Sequence, residues 1–177
     1  MKSALLLGSL VLALGCQHGA VIPNCNPPCG IGFQCSLGMC QPDALALWTV
    51  TIEKGTIQER NAHHDAWDAF GGAPDPSACL TIAGQRTCTS TVRDSFLPMW
   101  FESLPPMTAS TLLSSISVEI WDRDASFDDP ICRRGEAVIT KDDLAHGIWH
   151  FGCELGRVDV RLVPFQQAAT APSGRWQ

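Results

Sequence analysis

Apolar residues at every second position recur along most of the chain, and this pattern limits the possible folds more than any other feature. Residues on a strand point alternately to opposite faces, so a period of two predicts strands that bury one face. The alternating segments lie at residues 48–52, 78–82, 116–120, 137–139 and 158–162, with Gly, Pro and Asp between them. They predict an all-β fold over residues 45–165, an antiparallel β-sandwich, with one helical turn at 141–145 capped by Thr140.

Four cysteines lie close together ahead of the first alternating segment, at Cys25, Cys29, Cys35 and Cys40. Several Pro and Gly residues surround them, and the segment has neither a helical nor a strand period. A segment this short cannot bury a core, so disulfides must hold it. It resembles the small EGF-like cysteine-rich modules of bacterial surface proteins. The sequence does not choose among the three possible pairings, and a zinc knuckle is the alternative.

The other four cysteines are spread through the predicted sandwich. Cys79 and Cys88 flank a short Gly-containing segment that is typical of a hairpin loop. Facing residues of neighbouring strands are close enough for a disulfide, so these two are predicted to pair. Cys132 and Cys153 then pair by elimination. An even set of paired cysteines indicates an exported protein.

The N-terminus has the pattern of an export signal at residues 1–15. Lys2 precedes an apolar run from Ala4 to Leu14, which is too short to cross a bilayer. The run ends in Gly15-Cys16, which resembles the lipobox of bacterial lipoproteins. The resemblance implies cleavage before Cys16 and attachment of lipid such as palmitate to its thiol, on the periplasmic or surface face of the bacterial cell envelope. Ordinary secretion with cleavage nearby is the alternative.

Net charge argues against nucleic acid as a partner. The whole chain carries a net charge of −6, and removal of residues 1–15 removes one lysine and makes it −7. Nucleic-acid-binding proteins usually present clustered Lys and Arg, and no such cluster occurs here. Residues 16–44 are expected to form the lipid anchor and cysteine-rich module, and residues 166–177 a loose tail.

A group of carboxylates follows the alternating segment at 116–120. Asp122, Asp124, Asp128 and Asp129 fall within eight residues. Carboxylates this close repel one another, and a hard cation commonly neutralises them; calcium takes six to eight oxygen ligands of this kind. A solvated acidic turn is the alternative explanation.

Several of these segments together resemble a known family. They are Trp67-Asp68-Ala69-Phe70-Gly71-Gly72-Ala73-Pro74-Asp75-Pro76, Phe96-Leu97-Pro98-Met99-Trp100-Phe101-Glu102 and Val118-Glu119-Ile120-Trp121-Asp122-Arg123-Asp124 with Asp128-Asp129-Pro130-Ile131. In order and spacing they are similar to the C2 domain, an eight-stranded β-sandwich that binds calcium and phospholipid. The resemblance covers most of the chain beyond the cysteine-rich module.

The resemblance also implies a set of calcium ligands in two loops. The first loop would supply Asp68 and Asp75. The third loop would supply Asp122, Asp124 and Asp129. Each loop differs by about one residue from the usual family length, so Asp65 is an alternative to Asp68 and Asp128 is an alternative to Asp129.

Each proposed calcium loop also carries one apolar residue at its tip, Phe70 in the first and Phe127 in the third. Once calcium neutralises the loops, these side chains could contact a membrane. The predicted function is therefore calcium-dependent binding of phospholipid or a cell-surface component, without catalysis. A surface adaptor that binds another protein is the first alternative. An enzyme that uses a metal near His63-His64-Asp65 is the second, although the sequence contains no catalytic motif.

Overall fold

The computed structural model describes residues 25–68, 71–124 and 127–166. Eleven strands and two short helices account for most of these residues. The strands are β1 (Phe33–Ser36), β2 (Met39–Pro42), β3 (Leu47–Ile57), β4 (Pro76–Ile82), β5 (Gln85–Cys88), β6 (Met99–Ser103), β7 (Met107–Thr108), β8 (Ser115–Arg123), β9 (Asp128–Val138), β10 (Ile148–Gly152) and β11 (Gly156–Pro164). The helices are α1 (Ala109–Leu112) and α2 (Lys141–His146). Among the described residues, no helix has the length and apolar character needed to span a bilayer.

Two antiparallel sheets form the sandwich. The first has the strand order β10-β11-β3-β6, and the two-residue β7 also pairs with β3. The second has the order β5-β4-β8-β9. The all-β sandwich expected from the alternating segments is therefore confirmed, with eight longer strands and the short β7.

The core lies between the sheets and consists of the apolar residues that the sequence pattern selected. Residues at every second position of β3, β4, β8 and β11 are almost fully buried because their side chains share the inner face of a sheet. They are Trp48, Val50, Ile52, Ala78, Leu80, Ile82, Ile116, Val118, Ile120, Val158, Val160 and Leu162.

Helix α2 forms where the sequence predicted one helical turn. The Thr140 side chain accepts a hydrogen bond from the Asp143 amide, and the Asp143 carboxylate accepts one from the Thr140 amide. This reciprocal capping satisfies amides that a helix start leaves unpaired. Gly147 ends the helix at a φ of 73°, a left-handed conformation that glycine adopts without a Cβ clash.

The cysteine-rich module differs from its sequence-based description, which expected no regular structure. Strands β1 and β2 form an antiparallel hairpin in which Cys35 lies opposite Cys40. Disulfides join Cys25 to Cys35 and Cys29 to Cys40. Since all four sulfurs are engaged in disulfides, they are not free to bind zinc as thiolates.

Both disulfides predicted for the sandwich are present. Cys79 and Cys88 face each other across β4 and β5, with their Cα atoms 4.0 Å apart. Cys132 on β9 is bonded to Cys153, which follows β10, so this bond joins the two sheets. No disulfide among the described residues connects the module to the sandwich.

Candidate metal centre

Strand directions bring four chain segments to one end of the sandwich. Strand β3 ends there at Ile57, and β4 begins there at Pro76. In the second sheet, Asp122 lies in register with Pro76 on one side and with Asp129 on the other. The loop between β3 and β4 and the loop between β8 and β9 therefore meet at this end, where the acidic residues are concentrated.

Three carboxylates converge there. One oxygen from each of Asp68, Asp122 and Asp124 lies within 4.8 Å of the others. Calcium ligands stand 2.3–2.6 Å from the ion, so two ligands on opposite sides of one ion are roughly 5 Å apart. The spacing of the three oxygens thus suits a single calcium ion, and carboxylate oxygen is the donor type that calcium prefers.

Asp122 is the buried member of the cluster, with no exposed surface. Its Oδ1 accepts a hydrogen bond of 2.6 Å from the Asp75 amide. Its Oδ2 is buried and has no hydrogen-bond partner among the described residues. A buried carboxylate oxygen without a partner costs free energy, and a cation beside it would remove that cost. Asp122 therefore fits a metal ligand better than a structural carboxylate.

The pKa values of two cluster members reflect this crowding. Burial raises the pKa of Asp122 to about 6, and the negative charges of Asp124, Asp68 and Asp75 raise it further against the lowering effect of the Asp75 amide. Burial also raises the pKa of Asp68, followed by the charges of Asp124 and Asp75. Desolvation and like charges both disfavour the ionised form, so the cluster favours partial protonation unless a cation balances it.

Asp75 lies beside the cluster and links it to a third loop, between β5 and β6. Its Oδ1 accepts a hydrogen bond of 2.7 Å from the Asp94 amide, and its carbonyl accepts one from the Arg123 amide. Sequence reasoning missed Asp94, whose charge contributes to raising the pKa of Asp68. The signal available was topological, because a loop between β5 and β6 must return to the end of the sandwich where β4 begins.

The remaining acidic residues differ in their surroundings. Asp65 and Asp129 line an open depression together with Asp68 and Asp124, but lie outside the close group of three. Asp128 forms an ion pair with Arg123. Asp128 and Asp129 were expected in a loop, yet they are the first two residues of β9, because pairing with β8 extends to Arg123. The cation on Arg123 makes Asp128 the less suitable ligand of the two.

The first calcium loop passes very close to its own carboxylate. A Cβ atom on Gly72 would lie 2.6 Å from Oδ2 of Asp68, so glycine leaves room for that side chain. At the tip of the third loop, the Phe127 side chain is 81% exposed. Phe70, the expected apolar tip of the first loop, lies outside the described residues.

The histidines that the structure describes do not form a second metal centre. His146 belongs to α2, and His150 on β10 contacts Asp159 through Nδ1 at 2.7 Å. Both lie on other elements than the loop that carries His63 and His64. In residues 25–68, 71–124 and 127–166, no group of three potential ligands includes a histidine.

We expect the pKa of Asp122 to give the calcium-free protein an unusual pH dependence. The ordinary pKa of 3.8 is raised to about 6 in the folded protein. The folded state therefore binds this proton more tightly than the unfolded state, so the contribution to stability is full below pH 3.8 and is lost as pH rises through about 6. Calcium needs the ionised form, so calcium-induced stabilisation should instead grow over the same rise.

Urea unfolding from about pH 4 to 7, in chelator and in calcium, measures both trends. The difference between wild type and Asp122→Asn isolates this group from other titrating residues. If that difference does not change with pH in chelator, the raised pKa is wrong.

Comparison with known proteins agrees with this architecture. A family model described as C2 domain matches residues 50–148, more than half of the chain. A search of curated proteins found no significant match.

Solved structures with similar folds share little sequence with the chain. Human GIVD cytosolic phospholipase A2 in complex with methyl gamma-linolenyl fluorophosphonate is 20% identical with a TM-score of 0.49; the match covers 71% of this chain and 18% of the phospholipase. The first C2 domain of plant extended synaptotagmin 1 is 14% identical with a TM-score of 0.48, over 71% of this chain and 99% of that domain. The calcium-bound pair of C2 domains from extended synaptotagmin 2 is 14% identical with a TM-score of 0.48, over 70% of this chain and 46% of that one.

Proposed function

The chain belongs to the C2 domain family, and on that premise we propose that it binds a phospholipid surface in a calcium-dependent manner, without catalysis. The observation that carries the proposal is the buried, unpartnered Oδ2 of Asp122 within 4.8 Å of oxygens from two other carboxylates. Such a cluster has a chemical reason to take up a hard cation.

The calcium ligands in this proposal come from two loops and one strand end. Asp68 and Asp75 serve from the first loop, and Asp122 and Asp124 from the end of β8 and the residue after it. Asp129 stands at the rim of the same depression. Calcium when bound supplies positive charge that offsets the mutual repulsion of these groups. The protein's own residues hold the oxygens together through the Asp75 amide and the Asp94 amide.

Membrane contact follows from the same end of the molecule. Repelling carboxylates keep the loops away from anionic lipid, and a bound cation removes that barrier. Phe127 is then free to enter the interface, because 81% of its side chain is exposed. Burial of apolar area contributes roughly 25 cal/mol per Å², so one phenylalanine can contribute on the order of 2 kcal/mol to binding.

Vesicle binding tests this function. Wild type should pellet with phosphatidylserine-containing vesicles in calcium and remain in solution in chelator. Phe127→Ala should retain calcium affinity but weaken vesicle binding by roughly tenfold or more, since about 2 kcal/mol corresponds to more than one factor of ten. Phe101→Ala is the matched control, because Phe101 is also exposed, at 57%, but lies on β6 away from the third loop.

Three outcomes separate the candidate functions. Vesicle binding that does not depend on calcium would contradict the proposed mechanism. Calcium binding without vesicle binding would reject the lipid surface and favour the adaptor that binds another protein. Equal weakening by Phe127→Ala and Phe101→Ala would show that the loop tip has no special part in lipid contact.

We also propose that the protein is exported and held at a bacterial membrane by lipid on Cys16. Support comes from the four disulfides, which persist in oxidising compartments. Residues 1–24, including Cys16, lie outside the described part of the chain.

Cys16→Ser should move the protein from the membrane fraction into the soluble fraction. The acyl chains are expected to supply the attachment, because each buried methylene contributes about 0.8 kcal/mol. Fractionation in chelator removes any calcium-dependent lipid binding from the comparison. An intact mass that shows an unmodified thiol on the mature N-terminus would contradict the anchor.

A further inference from the structure

The cysteine-rich module packs against the sandwich at the end opposite to the carboxylate cluster. Phe33 of β1 contacts Trp48, near the start of β3, in an edge-on arrangement with ring centroids 5.6 Å apart. A Cβ atom on Gly32 would lie 3.0 Å from both Trp48 and Pro164, the last residue of β11. These contacts place the module where β3 begins and β11 ends, whereas the cluster lies beyond the opposite end of β3.

A second contact fixes the module in place. Gln41 of β2 accepts a hydrogen bond of 3.1 Å from Nζ of Lys141, the first residue of α2. Helix α2 follows β9, whose last residue pairs with the first residue of β8 at the end away from Asp122. The module therefore touches β3, β11 and α2, and contacts from these separate elements hold it as one body with the sandwich.

The chain between Cys16 and the module is short compared with the sandwich. From Cys16 to Cys25 there are nine residue steps, which span at most about 32 Å when fully extended. Strand β3 has 11 residues, and at about 3.3 Å per residue it alone extends roughly 33 Å. A linker from the module would need its full extended length merely to return along β3, before reaching the loop tips beyond it.

We propose that the protein bridges two lipid surfaces, anchored to one bilayer through Cys16 and presenting its calcium loops to a second bilayer that faces it. The proposal rests on the proposed function, because the loops must bind lipid. The competing arrangement has the domain lying flat on its own membrane. That arrangement turns the loop tips parallel to the bilayer, so that Phe127 no longer points into it.

Vesicle clustering tests the bridge without depending on natural acylation. Eight of the nine cysteines form disulfides, so Cys16 is the remaining thiol, and the mature chain from Cys16 can be coupled through it to maleimide lipid. Donor vesicles carrying the coupled protein are mixed with acceptor vesicles, and both contain the same fraction of phosphatidylserine. Calcium should raise the mean hydrodynamic diameter severalfold, and chelator should reverse the rise. Asp122→Asn should abolish it.

Two further variants separate the possible failures. Free mature protein with Cys16→Ser should bind acceptor vesicles in calcium without clustering them. If it binds but the coupled protein does not cluster vesicles, the bridge is wrong and the lipid-binding function stands. If it does not bind, both fail.

The second variant tests the linker. About 15 Gly and Ser residues inserted between Cys16 and Cys25 add roughly 20 Å of average reach. The loops can then bind their own vesicle, so clustering should drop severalfold relative to wild type. Unchanged clustering would overturn the argument that linker length keeps the loops away from the anchoring membrane.

Discussion

Asp122→Asn should abolish most of the stabilisation that calcium gives to the wild-type protein, while leaving the calcium-free protein at least as stable as wild type. A ligand at a hundredfold excess over its dissociation constant stabilises a folded protein by about 2.7 kcal/mol. The variant lacks the buried negative charge, so its calcium affinity should fall at least tenfold. At the same calcium concentration it should therefore lose about 1.4 kcal/mol or more of that stabilisation.

The calcium-free result has a separate physical reason. Asparagine keeps an oxygen to accept the hydrogen bond from the Asp75 amide, which is 2.6 Å from Oδ1 in the wild type. Its amide group replaces the unpartnered Oδ2 and can donate to the neighbouring carboxylates of Asp68 and Asp124. A buried, repelled charge thus becomes a neutral donor, which removes an unfavourable contribution.

Thermal unfolding in calcium and in chelator, together with calorimetric titration, measures both effects. Asp128→Asn is the matched control, because Asp128 is close in sequence but is ion-paired with Arg123. It should leave calcium affinity nearly unchanged. If Asp122→Asn binds calcium as tightly as wild type, the cluster is not the metal centre. Asp75→Asn is also expected to lower calcium affinity.

Trp48→Ala should lower the free energy of unfolding by about 3–5 kcal/mol, the usual range for removal of a buried aromatic side chain. Trp48 has no exposed surface and contacts both the core and Phe33 of the module. Its loss leaves a cavity at the junction of the two parts. The module should also lose much of its protection against hydrogen exchange, because Phe33 loses its main partner.

Trp48→Phe is the control that separates volume from polarity. The indole N–H of Trp48 is buried without a hydrogen-bond acceptor among the described residues, and an unpaired buried donor costs about 1–3 kcal/mol. Phenylalanine removes that donor and retains an aromatic ring, so it should cost far less than alanine. Urea unfolding gives both values. A loss below about 1 kcal/mol for Trp48→Ala would mean that the junction contributes little to stability.

The buried faces of the sandwich could be predicted because both sheets have one wet face. In β3 and β11, period two in the sequence matches period two in burial over nearly the whole strand. Strand β9 was predicted only in part, over residues 137–139. Register shifts in its pairing with β8 place Ile131 and Cys132 in the core side by side, so the apolar pattern loses its period.

Composition hid the other elements that were missed. The β1–β2 hairpin is rich in Cys and Gly, whose positions follow disulfide and turn geometry rather than one buried face. Helix α1 has only four residues, too few to show a helical period. Within the candidate site, the convergence of Asp68, Asp122 and Asp124 was expected from the acidic loops. Asp94 was missed because it stands alone in sequence and joins the group only through the path of the β5–β6 loop.

The direction of β3 determines how the molecule would carry mechanical load. This strand starts beside the module and ends just before the calcium loops, with β11 and β6 hydrogen-bonded on its two sides. Tension between an anchored N-terminus and a bound loop end would act along the strand. Hydrogen bonds in a sheet run perpendicular to the strands, so this pull would shear many of them at once instead of opening them one after another. The rate of forced unfolding would then depend on simultaneous rupture along β3, which suits a domain held under tension at its two ends.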